Sequence, residues 1–167
     1  MWALPVVVAL TSASVLAAED RAAPVTHYWH NWTDGKGVSH LTRCELSNFV
    51  LQSMSPPAAP EWANRQAPGT AAVITVVQPP GWKGVWHQES KVYWIVTLTG
   101  KWFVEAMDGT RVELGPGDVS LGEDQNTVPD AQGRKGHRSG NIGDEAVTLM
   151  VIELDVTPTV DQPCRFR

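Results

Sequence analysis

Cysteine is scarce in this chain. Two residues in 167, Cys44 and Cys164, cannot build a multi-bridge scaffold, and neither belongs to a C-x-x-C pair, which argues against thiol redox catalysis. Positive charge is also sparse. Lys and Arg number 13 against 18 Asp and Glu, for a formal charge of -5, and no basic run is long enough to follow a phosphate backbone, so nucleic acid is not an expected partner. Beyond the first residues there is no bilayer-length apolar run, no amphipathic helical period, no internal repeat and no low-complexity tract. With 43% apolar residues, the chain can fill the core of a single domain.

The first residues, MWALPVVVALTSASVLAAED, form an apolar run that closes in small side chains, with Val15 and Ala17 at the −3 and −1 places of an A-x-A-like cleavage site. Residues 1–17 therefore read as a secretory signal peptide, with the mature chain starting near Ala18 in a secreted or periplasmic location. The other reading is a single N-terminal anchor, for which the run is short and softened by Thr11, Ser12 and Ser14. In an oxidising compartment Cys44 and Cys164 are natural partners, pinning the tail to the domain; two independent thiols are the alternative.

Residues 18–70 read as an N-terminal segment that wraps the domain. It holds His27, His30 and His40, taken as surface or packing residues, the sequon Asn31-Trp32-Thr33, and the proline-rich stretch SPPAAPEW. From Ala71 the period becomes two. AAVITVV, YWIVTLTG, KWFVEAM, TRVEL, DVSLG and AVTLMVIELDV are short β-forming runs separated by PPG, TG, DG and GPG, with Asp108-Gly109 a hairpin signal. An all-β barrel or sandwich over 71–157 follows, with a tail over 158–167.

The chemistry-bearing stretch is GWKGVWHQESKVY. If it is extended, His87 and Glu89 project to one face. His137, in KGHRSGN, adds a second imidazole, and two His plus one carboxylate form a first shell for a divalent metal with open positions. The bland alternatives are a hydrogen-bonded His87, an exposed Glu89 and a solvated His137. Trp82, Trp86, Trp94 and Trp102 read mostly as core, some lining a pocket. The polar stretch 123–136, immediately before His137, reads as a lid or as a solvated excursion.

Gly81-x5-His87-x-Glu89-x3-Tyr93-x6-Gly100 has the spacing of the first motif of the cupin superfamily, and Pro116-Gly117 with His137-x3-Asn141 echoes the second. Over residues 81–154 the chain resembles small cupins of unassigned role. The resemblance implies a single-domain jelly-roll β-barrel with an interior site. His87 takes the place of the first His ligand and His137 the last, while Glu89 stands where a second His is usual and Tyr93 where a Glu is usual. The expected metal ligands are His87, Glu89 and His137, holding Fe, Mn, Zn or Ni, with Tyr93 and Glu89 as catalytic candidates. The expected substrate is a small organic molecule, and oxygenase chemistry is favoured over isomerase or lyase chemistry. The alternative is a non-catalytic small-ligand or metal-binding module. No stable membrane anchor is expected, and a homodimer is plausible through edge strands.

Overall fold

The computed structural model describes residues 22–66 and 69–167; the apolar leader and the cleavage expected near Ala18 lie outside them. The described chain is all-β. Its strands are β1 (Thr26–Thr33), β2 (Ser39–Leu46), β3 (Val50–Gln52), β4 (Glu61–Ala63), β5 (Ala71–Gln78), β6 (Val92–Thr99), β7 (Lys101–Ala106), β8 (Arg111–Leu114), β9 (Val119–Glu123), β10 (His137–Ile142) and β11 (Val147–Leu154). Six of them form one sheet in the order β2-β1-β9-β6-β11-β5, three form a second in the order β10-β7-β8, and β3 and β4 make a small hairpin. Two facing sheets of this kind give the jelly-roll layout that the cupin resemblance implies, within the all-β barrel or sandwich expected from the alternating runs. Among the described residues no helix is long and apolar enough to cross a membrane.

Strand alternation decides what each face buries. On β6, Ile95 and Thr97 point between the sheets, and Ile95 joins Trp102, Val104, Leu114, Leu149 and Val151 in the main core. Trp94 points the other way. With Tyr28, Cys44, Leu121 and Phe166 it forms a second cluster on the outer face of the large sheet, beneath the C-terminal tail. Asp108-Gly109 turns β7 into β8 as expected, with Gly109 at φ 89°, where a side chain would be strained.

The segment 18–70 does more than wrap. β1 pairs antiparallel with β2 along its length and parallel with β9 through Trp29–Trp32, so it is an inner strand of the large sheet. Its histidines and tryptophans conceal this in the sequence, because His30 and Asn31 look solvated but are buried with polar partners. Cys44 and Cys164 are disulfide-bonded, Cα–Cα 5.3 Å, across a sequence separation of 120. The tail is further held by Tyr28 Oη donating to the Phe166 carbonyl at 2.8 Å. Opposite β11, β5 is an edge strand without a charged residue, and Val73 and Val77 on it are exposed.

Candidate functional site

The segment between β5 and β6 is not a regular strand. It crosses the open side of β10 through isolated bridges, with His87 N donating to His137 O at 2.9 Å and His137 N to His87 O at 2.8 Å. Gly84 N to Ser139 O and Asn141 N to Trp82 O continue the attachment. The expectation that strand alternation alone aligns His87 with Glu89 is therefore corrected. Both do reach one cavity, but through the pairing of residues 82–87 with β10. Gly136 is needed for that approach, since a Cβ there would stand 2.0 Å from the His87 carbonyl oxygen.

The cavity lies between the sheets and measures about 270 Å³. Its walls are largely apolar, including Ile74, Val76, Ile95, Trp102, Leu149 and Val151, and its polar groups are His87, Glu89, His137, Tyr93, Ser139 and Gln78. All four candidates from the sequence thus line one space. They are not equivalent. His137 is 3% exposed, whereas His87 is exposed at the rim, its ring centroid 4.5 Å from that of His137 and its Nδ1 donating to the Val85 carbonyl at 2.8 Å. Tyr93 Oη shares a 2.5 Å hydrogen bond with Ser90 Oγ.

The organising residue is Asp124, which the sequence reading placed in a candidate lid. It is fully buried. Its Oδ2 accepts from His137 Nδ1 at 2.6 Å and from Asn31 Nδ2 at 3.0 Å, and its Oδ1 accepts from the Glu89 amide at 2.8 Å. Gln88 Nε2 donates to the carbonyls of Gln125 and Thr127, fixing this turn against the segment that carries Glu89. Farther out, Asp130 and Arg134 close their own turn, with Arg134 Nε donating to Asp130 Oδ2 at 2.6 Å and its guanidinium 5.3 Å from the Trp86 ring. The first residues of the 123–136 stretch therefore build the site, and only its outer part is solvent-facing, which corrects the lid reading. Asn31, as a buried partner of Asp124, is not presented for glycosylation by the folded chain.

Electrostatics follow from this packing. Burial alone would lower the His137 pKa, but the charge and hydrogen bond of Asp124, together with Glu89, outweigh it and leave the pKa raised. Burial would raise Asp124, yet His137 and the donors from Glu89 and Asn31 hold its carboxyl below the usual range. Glu89 lacks comparable support. Its Oε1 stands 3.7 Å from His137 Nε2, beyond hydrogen-bond reach, and its side chain occupies the space a Cβ on Gly122 would need. Burial, opposed by His137 and reinforced by Asp124, pushes its pKa up to about 7.

This carboxyl makes stability depend on pH. Between the unfolded value of 4.5 and about 7, the folded chain keeps a proton that the unfolded chain has released, so stability falls as pH rises through that window. At 1.36 kcal/mol per unit, the full effect above pH 7 is about 3 kcal/mol. The raised His137 pKa acts in the same direction, its contribution present below 6.5 and lost as pH passes the folded value. Glu89→Gln should therefore stabilise the protein by about 1–3 kcal/mol at pH 8 and by little at pH 5. Urea unfolding at both pH values checks this; an equal effect at the two would show that Glu89 is not held protonated.

As for a metal, each imidazole uses Nδ1 on an oxygen acceptor, which is how metal-binding histidines are commonly oriented and which leaves Nε2 free. Yet among the described residues no three His, Cys, Asp or Glu side chains converge as a ligand set. The donors thus form a two-imidazole pair with a carboxylate beside one member.

No protein-family model matches the chain, and no curated protein matches it. Among solved structures it is similar to a cupin domain from Bordetella pertussis, at 23% identity over 52% of this chain and 82% of that one, TM-score 0.38. It is also similar to the cupin domain of Schizosaccharomyces pombe Cnp3, at 14% identity over 78% and 83%, TM-score 0.37. A third likeness is to the DMSP lyase DddQ from Ruegeria pomeroyi, at 18% identity over 70% of this chain and 53% of that one, TM-score 0.39. Two of these three structures are named as cupin domains.

Proposed function

We propose that this protein binds a small, mostly apolar organic molecule between its sheets and catalyses a proton transfer on it, as an isomerase or lyase does. The observation that carries the proposal is the series Asp124, His137, Glu89, in which two carboxylates flank one buried imidazole at a polar corner of an otherwise apolar cavity. Glu89, titrating near neutrality, removes a proton from a carbon next to a carbonyl; His137, held protonated by Asp124, donates from Nε2 to the oxygen on which charge develops. Return of the proton at a neighbouring carbon gives isomerisation, and departure of a leaving group gives elimination. Tyr93 contributes a phenol to the same cavity. The disulfide supports the exported location as part of this reading, and the uncharged β5 edge is where a homodimer would pair.

The test is deuterium exchange into the methyl group of acetophenone in D₂O at pH 7.5, followed by proton NMR. Catalysed exchange that falls at least a hundredfold in Glu89→Gln and in His137→Gln is the expected result. Binding without exchange would instead make the domain a binding module.

The orientation of the imidazoles favours a second reading, in which His87 and His137, with Glu89 beside them, hold a divalent ion. Such an ion would polarise a carbonyl or, if redox-active, bring oxygenase chemistry within reach. Stoichiometric metal in the purified protein, lost in His87→Ala and His137→Ala, would establish it; exchange by metal-free protein would favour the first reading.

A further inference from the structure

The catalytic corner occupies one end of the cavity. At the other end stands Gln78, the last residue of β5, whose side chain lines the cavity and is buried to all but 7% of its surface. Its backbone carbonyl accepts from Asn141 Nδ2 at 3.3 Å, but its side-chain amide has no hydrogen-bond partner among the described residues, and Oε1 is fully buried. A buried amide group left unpaired is destabilising, so a partner supplied by a bound molecule is favoured. The Oδ1 of Asn141 is a second unpaired acceptor in the same neighbourhood. Asn141 lies four residues along β10 from His137, a span of about 13 Å at roughly 3.3 Å per residue. Ile95, Leu149, Val76 and Trp102 belong to the apolar wall between the ends.

We infer that Gln78 is a specificity residue, and that the cavity takes an elongated, uncharged, largely apolar molecule with a neutral group that both donates and accepts, such as a hydroxyl, at the end remote from the reacting carbon. Because the buried Oε1 has no partner, no hydrogen bond fixes the amide's orientation, and rotation of the terminal amide can turn either its donor or its acceptor to the cavity, where a hydroxyl answers either with one oxygen. A carboxylate is disfavoured there, because the cavity lining includes no Lys or Arg to compensate its charge. The inference rests on the reading that this cavity holds the substrate.

The probes are 4-(hydroxymethyl)acetophenone and 4-ethylacetophenone, which share the ketone and differ in exchanging a hydroxyl for a methyl at the far end. Dissociation constants come from calorimetry on the full disulfide-bonded protein, with tryptophan fluorescence as a second readout. Wild type is expected to bind the hydroxyl compound about tenfold tighter. In Gln78→Leu that preference should vanish or reverse, with affinity for the ethyl compound unchanged or improved; Gln78→Met provides the same comparison should the leucine variant not fold. Equal affinities in wild type, or equal shifts for both compounds in a folded variant, would overturn the inference while leaving the proton-transfer reading intact. Failure of wild type to bind either ketone would overturn both.

Discussion

Replacing Cys44 and Cys164 together by serine should lower the unfolding free energy by about 4 kcal/mol and the melting temperature by roughly 8–16 °C. The bond closes a loop with a sequence separation of 120, and for a loop of that length the chain-entropy model gives close to 5 kcal/mol. Noncovalent contacts remain when the bond is gone. Phe166 packs 5.5 Å from Trp94, Cys164 N donates to His30 Nδ1 at 3.1 Å, and Arg165 pairs with the buried Glu123. These keep the folded tail in place, so the loss falls mainly on the unfolded chain, which gains conformations it could not reach while cross-linked. Guanidinium unfolding with and without reductant measures it. Wild type in reductant should match the double variant, and the double variant should not respond to reductant. A loss below 1 kcal/mol would show that the tail contacts alone hold this end.

β10, polar and with a glycine in its middle, gave no strand signal, whereas β5, β6, β7, β8, β9 and β11 were legible as short runs of β-forming residues bounded by turn signals, Asp108-Gly109 among them. β1 was not. Its inward and outward positions include His30, Asn31 and Thr33, which composition assigns to the surface and which are buried here by specific polar partners or close packing. The neighbourhood of His87 and His137 was anticipated from cupin-like spacing, whereas strand alternation does not bring Glu89 beside them: residues 79–91 are irregular and reach the cavity by pairing with β10. Glu123 and Asp124 show the limit most clearly. Two adjacent acids beside a polar stretch read as solvated, yet one turns to the outer face to meet His30 and Arg165 and the other turns inward to meet His137. A faint signal was present, since the alternation of Val119-Ser120-Leu121-Gly122-Glu123 carries into Asp124 and predicts opposite faces for the two acids. What each acid meets depends on partners 93 residues away along the chain, which local patterning does not encode.

Asp124→Ala should cost about 3–5 kcal/mol, because it leaves the His137 imidazolium buried without its closest counter-charge and strips the acceptors from Asn31 Nδ2 and the Glu89 amide. Asp124→Asn separates charge from shape. The amide keeps the volume and can still accept from one donor, so its cost should be smaller, about 1–3 kcal/mol. Its electrostatic effect should remain large: with the carboxylate gone, burial dominates at His137 and the imidazole pKa drops, so that His137 is neutral where it was charged. Glu89 responds in two opposing ways. It loses the repulsion of Asp124, which favours ionisation, and the attraction of a charged His137, which opposes it. The exchange reaction should therefore fall at least a hundredfold in Asp124→Asn despite a folded protein, and its pH dependence should change shape as well as height. Urea unfolding gives the stability, and nitrogen chemical shifts of the His137 ring give its charge state. A purely structural Asp124 would lower stability while leaving both the His137 titration and the exchange profile in place, and that combination would overturn its assignment as the residue that positions and charges the imidazole.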